Sequence, residues 1–148
     1  MRTEQYKYIR NFLPTRPHLQ PNAYKDDKEI VARLRELHAQ RKLTALTEKL
    51  LFAPVRPAEE LYDLQSDPQE TRNLAADPKY AKTLAEMRAR LERWMRETDD
   101  RGRKPEPAAM YDSDMAVYLE ERSKRGAGPL RVLQETIALM KKWAAEDK

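Results

Sequence analysis

The stretch from Ala58 to Glu97 constrains the fold most, because it joins a short strand, two Asp-Pro steps and the most regular amphipathic pattern in the chain. After Pro78 the apolar residues fall at Tyr80, Leu84, Met87, Leu91, Trp94 and Met95, with Lys82, Glu86, Arg88, Arg90, Glu92, Arg93 and Arg96 between them. Steps of three and four predict a helix with one apolar stripe, and that stripe must be covered. The nearest cover is Glu60-Leu61-Tyr62-Asp63-Leu64, which reads as a strand. Asp67-Pro68 and Asp77-Pro78 each set a side-chain acceptor before a residue with no N–H and a fixed φ, the chemistry of a helix start. Both carboxylates would also lie at the positive end of a helix dipole.

Upstream, residues 2 to 10 alternate, with Tyr6 and Tyr8 on one face and Lys7 on the other, and predict a strand that pairs with or neighbours the one at residues 60–64. A strand at the start of a chain is either an edge or part of a larger sheet, so its edge and an apolar sheet face are expected to lack cover. Pro14, Pro17 and Pro21 keep residues 11–24 a stiff loop. A helix over Asp27–Gln40 carries Ile30, Val31, Leu34 and Leu37, capped by Asp26 or Asp27, with His38 on or beside its buried face. A shorter one from about Thr44 to Phe52 carries Leu46 and Leu50 and ends before Pro54 and Pro57. Residues 99–111 read as a linker. Beyond it, Ser113 or Asp112 caps a helix with Met115, Tyr118 and Leu119. Gly126, Gly128 and Pro129 then separate it from a last helix with Leu130, Leu133, Ile137, Met140 and Ala144.

The fold class that follows is α+β: a small antiparallel sheet with packed helices, mostly helical by residue count, plus a C-terminal helical extension over residues 112–148. Residues 1–98 form the main unit. With 3 Gly against 10 Pro, helices joined by stiff turns are favoured over a many-stranded sandwich. No Cys is present, which removes disulfides, thiolate metal sites and a Cys nucleophile. No run of about 18 apolar residues predicts a membrane span, and Met1-Arg2-Thr3-Glu4-Gln5 has no apolar signal-peptide core, so the compartment stays open. Charge is uneven: residues 1–56 hold 12 Lys or Arg against 6 Asp or Glu, and residues 57–148 hold 17 against 19. A basic surplus of that kind attracts anions. Nucleic acid is disfavoured, because the aromatics are not interleaved with the basic residues and no recognition motif occurs.

Glu60, Leu61, Tyr62, Asp63, Leu64, Asp67, Pro68, Glu70, Asn73, Leu74 and Ala75, followed by Asp77-Pro78 and Tyr80, give the pattern E-E-L-Y-D-L-x-x-D-P-x-E-x-x-N-L-A then D-P-x-Y. This pattern resembles the C-terminal subdomain of the sulfatase family, the arylsulfatase-like sulfuric ester hydrolases. Arg2-Thr3 with Tyr6-Lys7-Tyr8-Ile9-Arg10 is similar to the strand that precedes this element in such enzymes. Arg16-Pro17-His18-Leu19-Gln20-Pro21-Asn22 is similar to a loop of one bacterial branch.

The resemblance implies a catalytic domain elsewhere, in cis or on an adjacent chain, bearing C/S-x-P-x-R for conversion to formylglycine and a calcium site. In this chain Ser66-Asp67-Pro68-Gln69-Glu70 keeps S-x-P but has Glu70 where the motif has Arg. No catalytic residue, metal ligand or cofactor is therefore assigned to this chain, and it is expected to be inactive alone. Calcium and formylglycine are expected only in the missing catalytic domain. What the resemblance leaves to this chain is packing and the rim of a pocket for a sulfated carbohydrate or aryl sulfate, since guanidinium forks match sulfate oxygens. The candidates are Arg10, Arg16 and His18. A second reading stays open: a non-enzymatic basic helical module that docks on an acidic protein partner.

Overall fold

Two strands, β1 (Tyr6–Arg10) and β2 (Glu59–Asp63), form an antiparallel sheet in which Tyr8 stands opposite Leu61. The structure is a computed structural model that describes residues 1–22, 24–104 and 107–146. Opposed residues share a face, so Tyr6, Tyr8 and Arg10 lie with Asp63, Leu61 and Glu59 on one side, and Lys7 and Ile9 lie with Tyr62 and Glu60 on the other. Tyr8 and Leu61 are fully buried, and Leu74, Leu84 and Met87 complete the core around them.

The helix α3, here Ala81–Glu97, supplies the second layer, as the stripe requires. Leu84, Met87 and Met95 are buried and Leu91 packs against the core, but Trp94 is 45% exposed. The reason lies in the helix period: four residues after Leu91 comes Met95, which takes the core position and turns Trp94 outward. Asp77 caps the start as expected, its carboxylate accepting the Lys79 N–H at 3.0 Å ahead of the 3₁₀ turn Pro78–Tyr80. Tyr80 then meets Tyr6 edge to face, with ring centroids 6.5 Å apart.

The first Asp-Pro step behaves differently. No helix follows Pro68; the Asp67 carboxylate accepts the N–H groups of Thr71 and Arg72, both at 2.8 Å, and closes a turn in which Glu70 takes φ 55°. A helix there would carry Asn73-Leu74 away from β2, and those two residues have work at its edge. Asn73 Nδ2 donates to the Glu59 carbonyl and its Oδ1 accepts the Leu61 N–H, both at 3.0 Å, so the side-chain amide takes the place of a peptide on a neighbouring strand. The Leu74 N–H adds a bond to the Leu61 carbonyl at 2.8 Å.

On the outer side of β1, the Tyr8 N–H donates to the Met1 carbonyl and the Thr3 N–H to the Tyr6 carbonyl, each at 2.8 Å. The Tyr6 N–H donates to Thr3 Oγ1 at 2.9 Å. The strand edges expected to be open are thus occupied by the chain's own groups. Nor is the far face of the sheet a bare apolar one. It carries Lys7 and Glu60, Tyr62 on it is only 6% exposed, and Lys7 Nζ reaches Glu70 at 2.5 Å.

Residues Met1–Thr15 and Val55–Arg103 make up this first body, and Arg16–Pro54 with Lys104–Lys148 make up a second. Residues 16–54 group in the second body with the C-terminal helices. In the second body α1 (Glu29–Ala39) starts at Lys28 without a side-chain cap. Asp26 instead accepts the Asn22 N–H and Arg35 Nη2, both at 2.8 Å, and the side chain of Asp27 lies outside the described residues. Val31 is buried while Ile30 is 71% exposed. Thr44 caps α2 (Ala45–Thr47) through the Thr47 N–H at 3.1 Å, and a π turn, Glu48–Phe52, continues it. His38 stacks on Phe52, centroids 4.1 Å apart, with Nδ1 at 2.8 Å from Glu48.

The last two helices form a hairpin whose core is Leu133 and Ile137 against Met115 and Leu119. Of these, α4 (Ala108–Ser123) opens after Pro107, so residues 108–111 are helical rather than linker, while Pro105 and Glu106 lie outside the described residues. Ser113 sits inside α4, where its hydroxyl donates to the Met110 carbonyl at 3.2 Å instead of capping. The final helix, α5 (Ala127–Glu146), takes Gly128 and Pro129 into its first turn, where a missing N–H costs nothing. Gly126 alone reverses the chain, at φ 106°. No helix of the described residues is long and apolar enough to cross a membrane.

Candidate functional site

The polar chemistry of the first body gathers where β1 ends against the middle of α3. Cross-strand pairing sets Arg10 opposite Glu59 on the helix-facing side. From α3, Arg88 grips Glu59 with both arms of its fork, Nε to Oε1 and Nη2 to Oε2, each at 2.7 Å. The buried Tyr8 hydroxyl donates to the same carboxylate. Arg88 is the main reason the Glu59 carboxyl is held down to about 2. The reciprocal effect raises Arg88 further above its already high range, and burial pushes the Tyr8 hydroxyl up. One helical turn on, Glu92 Oε1 lies 3.5 Å from Arg10 Nη1.

Beside this network is a hollow of about 250 Å³. Its apolar lining is Tyr8, Phe12, Leu91 and Met95; its charged lining is Arg10, Arg88, Arg96 and Arg103 with Glu92. The helix places Arg88, Glu92 and Arg96 four residues apart on one face. Arg103 arrives by the turn after α3, where Asp99 takes φ 48° and the Asp100 N–H returns to the Met95 carbonyl at 3.0 Å, a Schellman closure. Among the described residues no Ser, Thr, His or Cys lines the hollow, and its guanidinium groups suit it to hold an anion.

Of the sequence candidates, Arg10 lines this hollow. Arg16 and His18 belong to the other body. There the Arg16 guanidinium lies over Trp143, 5.4 Å from the ring centroid. His18 is exposed on the Pro-rich loop, and its carbonyl accepts the Gln20 N–H at 3.0 Å. Arg88, Arg96 and Arg103 were not among the candidates. The four-residue spacing of 88, 92 and 96 was a signal for two of them, but Arg103 depends on a backbone reversal at an Asp, which no pattern marks. Ser66, the only serine in an S-x-P context, is exposed in the turn after β2, and Glu70 beside it is engaged by Lys7. Among the described residues no three His, Asp or Glu side chains group as a metal site needs.

The pairing of β1, the Asn73 clasp and α3 gives a physical role to Leu61, Asn73 and Leu74 of the pattern quoted above, and comparison with known proteins returns the same family. The chain is 37% identical over 106 residues to an ulvan-active sulfatase of Formosa agariphila, a match that covers 72% of this chain and 18% of that protein. It is homologous to a segment of the sulfatases. A Delta 4,5-hexuronate-2-O-sulfatase of Bacteroides thetaiotaomicron is 55% identical over 42 residues, which are 28% of this chain and 9% of the relative. The human N-sulphoglucosamine sulphohydrolase is 51% identical over 41 residues, 28% of this chain and 8% of the enzyme. The sulfatase-like chain thus spans less than a fifth of the curated relatives it matches. No family model and no solved structure matches it.

Proposed function

We propose that this chain is the C-terminal portion of a sulfuric ester hydrolase acting on a sulfated carbohydrate or aryl sulfate, and that it supplies packing and part of the substrate-pocket rim. The nucleophile and the divalent cation come, in this reading, from a catalytic domain in cis or on an adjacent chain. One observation carries it: the sulfatase match takes in most of this chain but a small part of each relative, and S-x-P-x-R is broken at Glu70. Arg10 of the first body is the residue proposed for the rim, where guanidinium groups suit sulfate oxygens, and Arg16 and His18 of the second body are separate candidates for contact with the sulfated substrate. Hexuronate and glucosamine in the names of two relatives favour a sugar over an aryl group as the ester's carrier.

The test is assembly. The DNA upstream of Met1, or an adjacent gene, should encode C/S-x-P-x-R. Coexpression of that product with this chain should yield a complex that hydrolyses a sulfated sugar, while the purified chain leaves an aryl sulfate intact. Turnover by the chain alone, or an upstream region with no such product, would overturn the proposal.

A further inference from the structure

We propose that the hollow beside β1 and α3 is a binding site for a sulfated saccharide unit, with Arg96 and Arg103 as its sulfate-reading groups. The ligand class rests on the sulfatase reading; the site itself rests on geometry. Four guanidinium groups line the hollow, but they are not equivalent. Arg88 is fully engaged by Glu59 and Arg10 is drawn to Glu92, so these two are held in place and largely neutralised. Among the described residues, Arg96 and Arg103 have no carboxylate partner. Both are exposed, and each keeps a planar fork that matches two oxygens of an oxoanion.

Like charges gathered around one concavity repel each other, and an anion placed between them relieves that repulsion. The chain sets this up at two separate places, at a helical register position and again after a left-handed residue at Asp99. The size of the hollow limits the occupant. About 250 Å³ is below the roughly 300–1,000 Å³ of pockets that enclose drug-sized ligands, and it suits one sugar ring or its charged substituent. Phe12, 38% exposed, offers an apolar surface for the C–H face of that ring. A single exposed ring beside a hollow of about 250 Å³ does not make the stacking platform and long basic groove that a nucleic-acid strand needs.

The full chain should be titrated with N-sulphoglucosamine, N-acetylglucosamine, inorganic sulfate and a single-stranded oligonucleotide. Binding is read by calorimetry and located by the Arg Nε–Hε resonances. We expect N-sulphoglucosamine to shift the Arg96 and Arg103 signals and to bind more tightly than either the unsulfated sugar or sulfate alone. Arg96→Gln with Arg103→Gln should weaken it by about tenfold or more, the scale of one lost charge-assisted hydrogen bond. Arg131→Gln with Lys142→Gln removes the same charge from exposed positions of α5 and should leave binding unchanged. Circular dichroism of both double variants checks that the fold is kept.

Equal weakening by the control pair, equal affinity for sulfated and unsulfated sugar, sulfate alone binding as well as the sugar, or preference for the oligonucleotide would each overturn the site as stated. None of these measurements needs a catalytic domain, so their failure leaves the assembly test above untouched, and the reverse also holds.

Discussion

Replacing Glu59 with Gln tests whether the Tyr8–Glu59–Arg88 network joins sheet to helix as described. The variant keeps the shape but removes the charge, and it sets an amide N–H₂ where Arg88 and Tyr8 both donate. The carboxyl's ordinary value of 4.5 falls to about 2 in the folded chain. At about 1.36 kcal/mol for each tenfold change in proton affinity, that amounts to about 3 kcal/mol. The Glu59 side chain is 24% exposed and Arg88 36%, so water screens the pair and about 2 kcal/mol is the better expectation. A folded-state value below the unfolded one gives stability that is present in full above the unfolded value and is lost as pH falls toward 2.

The assay is urea unfolding of wild type and Glu59→Gln across pH 7 to pH 3. Other carboxylates titrate alike in both proteins, so the difference between the two isolates Glu59. It should be about 2 kcal/mol at pH 7 and be mostly lost by pH 3. A difference that stays constant down to pH 3 would show that shape or a neutral hydrogen bond, not the ion pair, does the joining.

Asn73→Ala should cost about 2–4 kcal/mol, because it leaves the N–H of buried Leu61 and the Glu59 carbonyl without their partners. It should also raise concentration-dependent association in sedimentation, since it reopens a strand edge; a stable, strictly monomeric variant counts against the clasp. Met87→Ala should destabilise by about 2–5 kcal/mol, while Trp94→Ala should change stability by no more than about 1 kcal/mol. Comparable losses at the two sites would mean that Trp94 is buried after all. Leu133→Ala should lower the local stability of the α4–α5 hairpin by about 2–5 kcal/mol, read by hydrogen exchange in α5. Unchanged exchange at Ile137 would refute that.

Much of the fold was legible where period and chemistry agree. Tyr6 and Tyr8 alternate with Lys7, and the strand they predict does pair with Leu61 and Tyr62. Leu84, Met87 and Leu91 recur at helical spacing and meet the sheet. Misreadings came where a residue has two uses. Asp67-Pro68 has the chemistry of a helix start but serves a turn, because Asn73 and Leu74 are needed a few residues later. Asp26 looked like a cap and is instead held by Arg35 and the Asn22 amide. Ser113 could end a linker, yet α4 already runs through it.

Of the site, Arg10 was named from the basic surplus, the helical spacing of Arg88 and Arg96 was a signal left unused, and Arg103 had none. Arg88 reads as one of many charges on a polar helix face until Glu59 is seen across from it. Residue types and their period are local or compositional facts, and the amino-acid sequence was enough to give the sheet, the long helix and the sulfatase resemblance. Which charges are neutralised, which edge an amide side chain closes, and that Arg96 and Arg103 share one hollow are properties of distance between residues far apart in the chain. Only the tertiary structure decides them, because an ion pair or an anion site depends on angstrom separations that sequence order does not encode.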